Sequence, residues 1–301
     1  SHEGLAFDAQ KSLYFIDELN GGSVFKYVSA NPNATTGDQY FNKGQTFVLK
    51  VGAGGQFEGN NGPAITGAAS WVAITTAAGT PTVDTFSAMT NLGGGAFAMD
   101  GRAAAKLAAI SGTGYNRPED LEIQDVNGTQ RLYFATTDSD TNANTGDGRS
   151  RVYFLDLGTN EVKLFADSNT KDLATGLAVG GGLRNADNLA IDAKGNIYII
   201  EDRNGGDDND IWFAKDINKD GDLLDDGEGI GRWASNGVAG SENTGLYFDK
   251  FDPNVAYVNI QHPNSGVDRL VQISAVPEPE TYAMMLAGLF GLGFIARRRR
   301  G

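Results

Sequence analysis

Short runs of alternating apolar and polar residues, separated by tight turns, recur along the chain. Residues 187–192 read Asp-Asn-Leu-Ala-Ile-Asp, and residues 196–202 read Asn-Ile-Tyr-Ile-Ile-Glu-Asp. Together they predict two strands joined by a turn, and a third strand-like run follows at 210–214. The same three-part unit occurs four times, at 3–27, 119–156, 187–214 and 244–273.

This unit is most of a β-propeller blade, and self-similarity at this scale is typical of repeat architectures. We therefore predict an all-β protein, a β-propeller of about six blades whose first blade is incomplete. The stretch 30–109 is less regular and has room for one or two degenerate blades, with candidate elements at 46–51, 71–75 and 104–110. The structural alternative is a two-sheet sandwich, which would share the strands but not the long-range repeat.

The pattern changes at the end of the chain. Residues 281–296 carry no charge, and Arg297, Arg298, Arg299 and Arg300 follow directly. At about 1.5 Å per residue, a helix over this segment spans roughly 24 Å, which can cross a membrane if the arginines reach back to the interface. We predict a transmembrane helix with its arginines on the cytoplasmic side. The alternative is a buried amphipathic helix that ends in a basic cap.

Val276, Pro277, Glu278, Pro279 and Glu280 precede this apolar segment. The three parts together resemble the PEP-CTERM sorting signal of Gram-negative bacteria. The resemblance implies export, transient anchoring in the inner membrane, and processing near the Pro-Glu-Pro by a membrane-embedded exosortase. We expect two regions, a propeller over 1–275 and a sorting and anchor segment over 276–301. Because the chain begins at Ser1 without a signal peptide, we also expect it to be a fragment.

The chain is acidic, with a net charge of −14, and it contains no cysteine and only two histidines. Such a surface repels nucleic acid and suits the binding of cations. The lack of cysteine excludes disulfides and thiolate metal sites, and two histidines are too few for an all-histidine zinc site. Oxygen ligands must therefore dominate any metal site, which favours calcium, magnesium or hard iron.

Acidic and amide residues recur in phase with the repeat. In a propeller, equivalent positions of successive blades become neighbours, so these residues predict two rings at one end of the central channel. Carboxylates gathered in this way repel one another unless cations lie between them, which favours a metal-lined rim. The alternative is that each residue only caps a turn. The first ring comprises Glu3, Glu119, Asp120, Asp187, Asn188 and Glu242; the second comprises Asp17, Glu18, Asp138, Asp140, Glu201, Asp202, Gln261 and His262.

A separate motif begins at Asp216. Oxygen-bearing side chains at positions 1, 3 and 5 with glycine at position 6 match the first half of an EF-hand calcium loop. Position 12 is Gly227, and Glu228 comes one place late, so the loop is only EF-hand-like. We predict a structural calcium ion here; without metal the segment would be a solvated acidic insertion. The predicted ligands are Asp216, Asn218, Asp220 and Asp222.

Arg117 and Arg184 lie next to acidic ring positions. A guanidinium can bind phosphate or carboxylate in a bidentate manner, although each arginine could equally neutralise neighbouring aspartates. No Ser-His-Asp set is credible with two histidines, and neither a Walker loop nor a Gly-x-Gly-x-x-Gly motif follows a strand.

The motifs of the chain resemble, in the same order, those of the PhoX-type alkaline phosphatase family. They are His2-Glu-Gly4, Arg117-Pro-Glu-Asp120, Ala186-Asp-Asn-Leu-Ala190, Glu201-Asp202 and Asn259-Ile-Gln-His-Pro263.

This resemblance implies a propeller that uses calcium and iron to hydrolyse phosphate monoesters. It implies metal ligation by Glu3, Glu119, Asp187, Glu201 and Glu242, and phosphate contacts from Arg117 and Arg184. The characterised phosphatases place a cysteine on their iron pair, whereas this chain has none.

Three functions are therefore open. The first is a surface-associated, metal-dependent phosphatase that acts on a small phosphorylated substrate. The second is a non-catalytic calcium-binding propeller of the cell surface or exopolysaccharide matrix. The third is a lactonase-like propeller hydrolase with a single calcium ion and fewer rim carboxylates.

Overall fold

The computed structural model of the chain describes residues 2–59, 62–94, 96–137, 150–203 and 209–275. The predicted ring residues Asp138 and Asp140 and the whole tail, 276–301, lie outside the described residues. No helix in the described ranges is long and apolar enough to cross a membrane.

Strands dominate the described residues, and the helices among them are short. The α-helices are α1 (Gly37–Phe41) and α2 (Gly101–Lys106), with 3₁₀ turns at Phe86–Ala88 and Gly180–Gly182. The strands are β1 (His2–Phe7), β2 (Leu13–Asp17), β3 (Asn20–Gly22), β4 (Val24–Ser29), β5 (Gly44–Val51), β6 (Gly67–Ala73), β7 (Met89–Gly93), β8 (Ala96–Met99), β9 (Tyr115–Asn116), β10 (Pro118–Val126), β11 (Thr129–Thr136), β12 (Arg151–Asp156), β13 (Glu161–Ala166), β14 (Ala186–Ile191), β15 (Ile197–Glu201), β16 (Asn209–Lys215), β17 (Gly229–Asn236), β18 (Glu242–Phe248), β19 (Val255–Gln261) and β20 (Arg269–Ser274).

The predicted repeats form four blades in the described part of the chain. Blade 1 pairs β1, β2, β4 and β5; blade 2 pairs β10 to β13; blade 3 pairs β14 to β17; and blade 4 pairs β18 to β20. Strand β6 joins blades 1 and 2 at their outer edges, because it pairs with both β5 and β13. The all-β class and the propeller arrangement are thus confirmed.

The irregular stretch 30–109 supplies outer elements rather than further blades of its own in the described residues. Residues 46–51 lie in β5, residues 71–73 lie in β6, and 101–106 form α2. α2 is capped by Asp100, whose side chain accepts a hydrogen bond from the Ala103 amide. Alanines of α2 then pack beside Phe25 and Val48 of blade 1.

The cores lie between blades. Along β11, Leu132 and Phe134 pack toward blade 1, whereas Tyr133 and Ala135 pack toward blade 3. Successive side chains of a strand point to opposite faces, so each central strand buries both faces and appears in the sequence as a continuous apolar run. Each fully buried aromatic or aliphatic side chain contributes about 1.5–3 kcal/mol. A sandwich would bury only one face of each sheet.

All four inner strands carry an irregularity near their start. The pairing register shifts between Glu3 and Leu5, between Pro118 and Leu121, between Ala186 and Asn188, and between Thr244 and Leu246. A bulge of this kind re-aims the side chains beside it.

The bulge residues also tie blade 2 to blade 3 and blade 3 to blade 4. Asp120 Oδ2 accepts a hydrogen bond from the Leu189 amide at 2.9 Å. Asn188, at the equivalent position of blade 3, accepts one from the Gly245 amide at 2.8 Å. The inner strands β1, β10, β14 and β18 consequently lie side by side.

Candidate functional site

The two predicted rings form one rim. In each blade the inner strand and the following strand are antiparallel, so the start of one meets the end of the other. His2 pairs with Asp17, Ala186 with Glu201, and Glu242 with Gln261. We define the acidic rim as the carboxylates that influence one another at this end of the inner strands, namely Glu3, Glu18, Glu119, Asp187, Asp202 and Glu242.

Arg117 lies among these carboxylates. Its Nη2 is 3.1 Å from Glu18 Oε1, and its Nε is 3.0 Å from Glu119 Oε1. The backbone of Arg117 is left-handed, with φ of 53°, and its carbonyl accepts a hydrogen bond from the Thr137 amide at 3.0 Å. The guanidinium is thus held on two sides, while 37% of the side chain remains exposed.

Glu119 and Asp187 are the most perturbed acids of the rim. Glu119 is 1% exposed; burial, followed by repulsion from Asp187, raises its pKa to about 10. Burial also raises the pKa of Asp187 to about 8, and Asp202 and Glu3 add repulsion. Desolvation and like charge both favour the protonated form of these carboxyls. A cation placed among them would reverse that preference.

Blades 3 and 4 meet at a carboxyl pair. Asp202 hydrogen-bonds to Glu242, and burial together with the charge of Glu242 raises the pKa of Asp202 to about 7. Glu242 Oε2 also accepts from Gln261 Nε2 at 3.2 Å and lies 3.0 Å from His262 Nδ1. The hydrogen bond to Glu242 raises the pKa of His262. His262 and Gln261 were predicted as ring positions but not as site residues; their place at the end of β19 was the available signal.

Two predicted ligands have other partners. Glu201 is fully buried and accepts hydrogen bonds from the Arg184 and Asp210 amides and from Trp212 Nε1. Asp120 accepts from the Leu121 and Leu189 amides. Burial raises the pKa of Glu201 to about 7 and that of Asp120 to about 6. Both carboxyls hold backbone in place beside the rim.

Arg184 is positioned differently from Arg117. Its Nε donates a hydrogen bond to the Gly181 carbonyl, and its amide donates to Glu201 Oε1 at 2.8 Å. The side chain therefore packs against the 3₁₀ turn that precedes β14, next to the rim.

The predicted EF-hand-like loop lies elsewhere. It connects β16 to β17, whereas the rim is formed by the starts of inner strands and the ends of the strands after them. Because successive strands of a blade alternate in direction, this loop is at the opposite end of blade 3. The structure thus separates Asp216, Asn218, Asp220 and Asp222 from the acidic rim.

The donor chemistry of the rim fits a hard cation. In the ranges that the structure describes, no three acidic or histidine side chains stand ready to hold a metal ion. Glu119 Oε1 is nonetheless buried and makes no hydrogen bond beyond its ion pair with Arg117, and Asp202 Oδ1 is buried without a hydrogen-bond partner. Unpartnered carboxylate oxygens among mutually repelling acids are suited to calcium or another oxygen-preferring ion.

Comparison with known proteins agrees with this geometry. Residues 1–264 match the family model described as alkaline phosphatase PhoX, and residues 275–300 match the PEP-CTERM protein-sorting motif. No curated protein matches. The fold is similar to that of Pseudomonas fluorescens PhoX, solved in complex with vanadate, a transition state analogue, with a TM-score of 0.57 and 19% identity. The match covers 91% of this chain and 53% of that one, so this chain spans about half the length of the solved protein.

Proposed function

The chain belongs to the PhoX alkaline phosphatase family, and from this premise we propose that it is an exported, metal-dependent phosphatase that hydrolyses phosphate monoesters at its acidic rim. The observation that carries the proposal is the gathering of six acidic side chains from all four blades, five of which interact electrostatically with Arg117. Such a site combines negative groups for cations with a guanidinium for a phosphoryl oxygen.

Arg117 is the residue best placed to bind substrate. Glu18 and Glu119 fix its guanidinium from two sides, while its exposed part can donate to phosphate oxygens. Because the fork is oriented before substrate arrives, little side-chain entropy is lost on binding. Arg184 is a second proposed phosphate contact, held beside the rim by Gly181 and Glu201.

Calcium is the proposed cofactor, with iron as the second candidate. Glu3, Glu119, Asp187, Asp202 and Glu242 would supply most ligands, with Glu18 as a further one. The other predicted ligands, Asp120 and Glu201, hold backbone amides beside the rim instead. When bound, the metal would polarise the phosphoryl group and stabilise negative charge in the transition state. The absence of cysteine from this sequence favours calcium, because every available ligand is oxygen or imidazole.

The sorting motif supports export through the membrane to the envelope or the extracellular space. Processing by an exosortase and transient anchoring through 281–296, with the arginines inside, are part of the proposal. So is the division into a propeller over 1–275 and a sorting segment over 276–301. The net charge of −14 makes nucleic acid an unsuitable partner.

A second candidate is a calcium-binding propeller without catalysis. It is favoured by the lack of cysteine in this sequence, because a site of oxygen ligands alone suits calcium. The two candidates share the metal site and differ in turnover. Hydrolysis of p-nitrophenyl phosphate by the full chain, with calcium and with calcium plus iron, separates them. Activity that is lost in Glu119→Gln and kept in Glu161→Gln, an exposed carboxylate on β13, supports the phosphatase; calcium binding without turnover supports the second candidate.

A further inference from the structure

The acidic loop between β16 and β17 has no part in the proposed function. It runs from Asp216 to Glu228 and places oxygen-bearing side chains at its first, third and fifth positions. Gly221, at the sixth position, has a φ of 87°, which allows the chain to turn back toward its start.

Asp216 is buried inside this loop with an unsatisfied oxygen. The residue is 5% exposed, and its Oδ2 accepts a hydrogen bond from the Gly221 amide at 3.3 Å, so the side chain points into the turn. Its Oδ1 is buried and has no hydrogen-bond partner. A buried carboxylate oxygen without a partner is costly unless a ligand completes it.

Glu228 closes the loop from its other end. It is fully buried, and its Oε1 accepts hydrogen bonds from the Ile217 amide at 2.7 Å and the Asn218 amide at 3.3 Å. Its Oε2 accepts from the Asp225 amide at 3.2 Å. The carboxylate therefore lies beside the residues that follow Asp216, although the sequence places it one position late for an EF-hand. Oε2 accepts only this one hydrogen bond and has a further lone pair for a cation.

We propose that this loop binds one calcium ion, through side-chain oxygens of Asp216, Asn218 and Asp220, with Glu228 in place of the glutamate at position 12 of an EF-hand. Position 7 of such loops uses its backbone carbonyl, so the side chain of Asp222 is not needed as a ligand. It forms an ion pair with Lys163 instead, at 3.2 Å.

The contacts of this loop with blade 2 give the proposed ion a structural role. Lys163, in β13 of blade 2, also donates to the Asp220 carbonyl at 3.1 Å. Gly221 packs against Phe154 of β12 so closely that a Cβ there would lie 2.7 Å from the ring. The loop thus joins blade 3 to blade 2, and calcium would fix that junction far from the acidic rim.

Calorimetric titration of the EDTA-treated full chain with calcium tests this proposal. Because the rim is also expected to bind calcium, the comparison is made between variants of the loop. Asp220→Ala removes an exposed ligand, and Asp226→Asn removes one charge from the same loop at an exposed position that is not a proposed ligand. We expect the wild type and Asp226→Asn to bind one calcium more per chain than Asp220→Ala. Calcium should also raise the melting temperature of the wild type and of Asp226→Asn more than that of Asp220→Ala.

Equal stoichiometry and equal calcium-dependent melting for Asp220→Ala and the wild type would overturn the proposal. Repeating the comparison in a Glu119→Gln background separates the two kinds of site. The loop ion should persist there even if the rim neither binds metal nor hydrolyses phosphate.

Discussion

Arg117 Nε lies 3.0 Å from Glu119 Oε1, across the bulge that opens the inner strand of blade 2. This pair joins the proposed substrate-binding group to the most strongly perturbed acid of the rim, and Glu18 holds the same guanidinium from blade 1. An arginine held by two acidic side chains is oriented before a substrate arrives.

Replacement of Arg117 should reduce catalysis more than stability. Arg117→Ala removes a positioned donor for the phosphoryl oxygens, and we expect a loss of about 10²–10³-fold in kcat/KM. Arg117→Lys should recover only part of it, because an ammonium lacks the planar fork. Steady-state kinetics with an aryl phosphate measure the effect, with the melting temperature as a control for folding. Full activity in Arg117→Ala would remove this residue from the site.

The metal-free protein should lose stability as the pH rises. Glu119, Asp187 and Asp202 have folded-state pKa values of about 10, 8 and 7, above their unfolded values. Their contribution to the free energy of unfolding is fully present below about pH 4 and is lost as the pH rises through these folded-state pKa values. We expect the melting temperature in EDTA to fall between pH 5 and pH 9, and the increase caused by calcium to be larger at pH 9. A stabilisation by calcium that is independent of pH would contradict metal binding at the rim.

Glu201 and Glu119 should respond in opposite ways to the same substitution. Glu201 accepts three hydrogen bonds. In Glu201→Gln the side-chain NH₂ group faces at least one of these donors, and we expect the free energy of unfolding to fall by about 1–3 kcal/mol. Glu119→Gln replaces a carboxyl whose ionisation is opposed by burial and by Asp187 with a neutral amide, so the metal-free protein should be at least as stable as the wild type. Urea unfolding in EDTA compares the two variants. Equal destabilisation would show that Glu119, like Glu201, has mainly a structural role.

Two glycines test the close approach of blades 1 and 2. Gly4 and Gly245 have nearly the same backbone, with φ of 55° and 57°, so alanine brings similar strain at both, about 1–2 kcal/mol. At Gly4 the new Cβ would lie 2.7 Å from the Leu121 nitrogen, whereas at Gly245 the nearest atom is 3.6 Å away. Gly4→Ala should therefore be clearly the more destabilising in urea unfolding. Equal decreases in the free energy of unfolding for Gly4→Ala and Gly245→Ala would mean that β1 is not packed on β10 in this way.

Much of the fold was predictable because the blades repeat. The alternation in 187–202 predicts two strands and the turn between them, and the antiparallel register then brings Ala186 beside Glu201. The position of the rim follows from that pairing. The stretch 30–109 lacks a clear period, and its main strands pair at the outer edges of other blades, which only tertiary contacts decide.

The partners of individual acids were not predictable. Glu201 and Asp202 are adjacent in sequence, yet one accepts three hydrogen bonds from its own blade and the other faces Glu242 of the next. Glu58 gives no sequence signal, but it is buried and pairs with Arg151 and Tyr153, holding the loop before β6 against blade 2. Side-chain direction at a bulge or in a loop depends on packing, and spacing along the chain does not encode it.

The central claim is that the acidic rim is a metal-dependent phosphatase site. The most direct measurement is aryl phosphate hydrolysis by the full chain after EDTA treatment and again after calcium is restored, with and without iron, in the wild type, Glu119→Gln and the surface control Glu161→Gln. We predict activity that disappears with EDTA, returns with metal in the wild type and in Glu161→Gln, and stays absent in Glu119→Gln. No turnover under any metal condition, or equal turnover in Glu119→Gln, would contradict the claim.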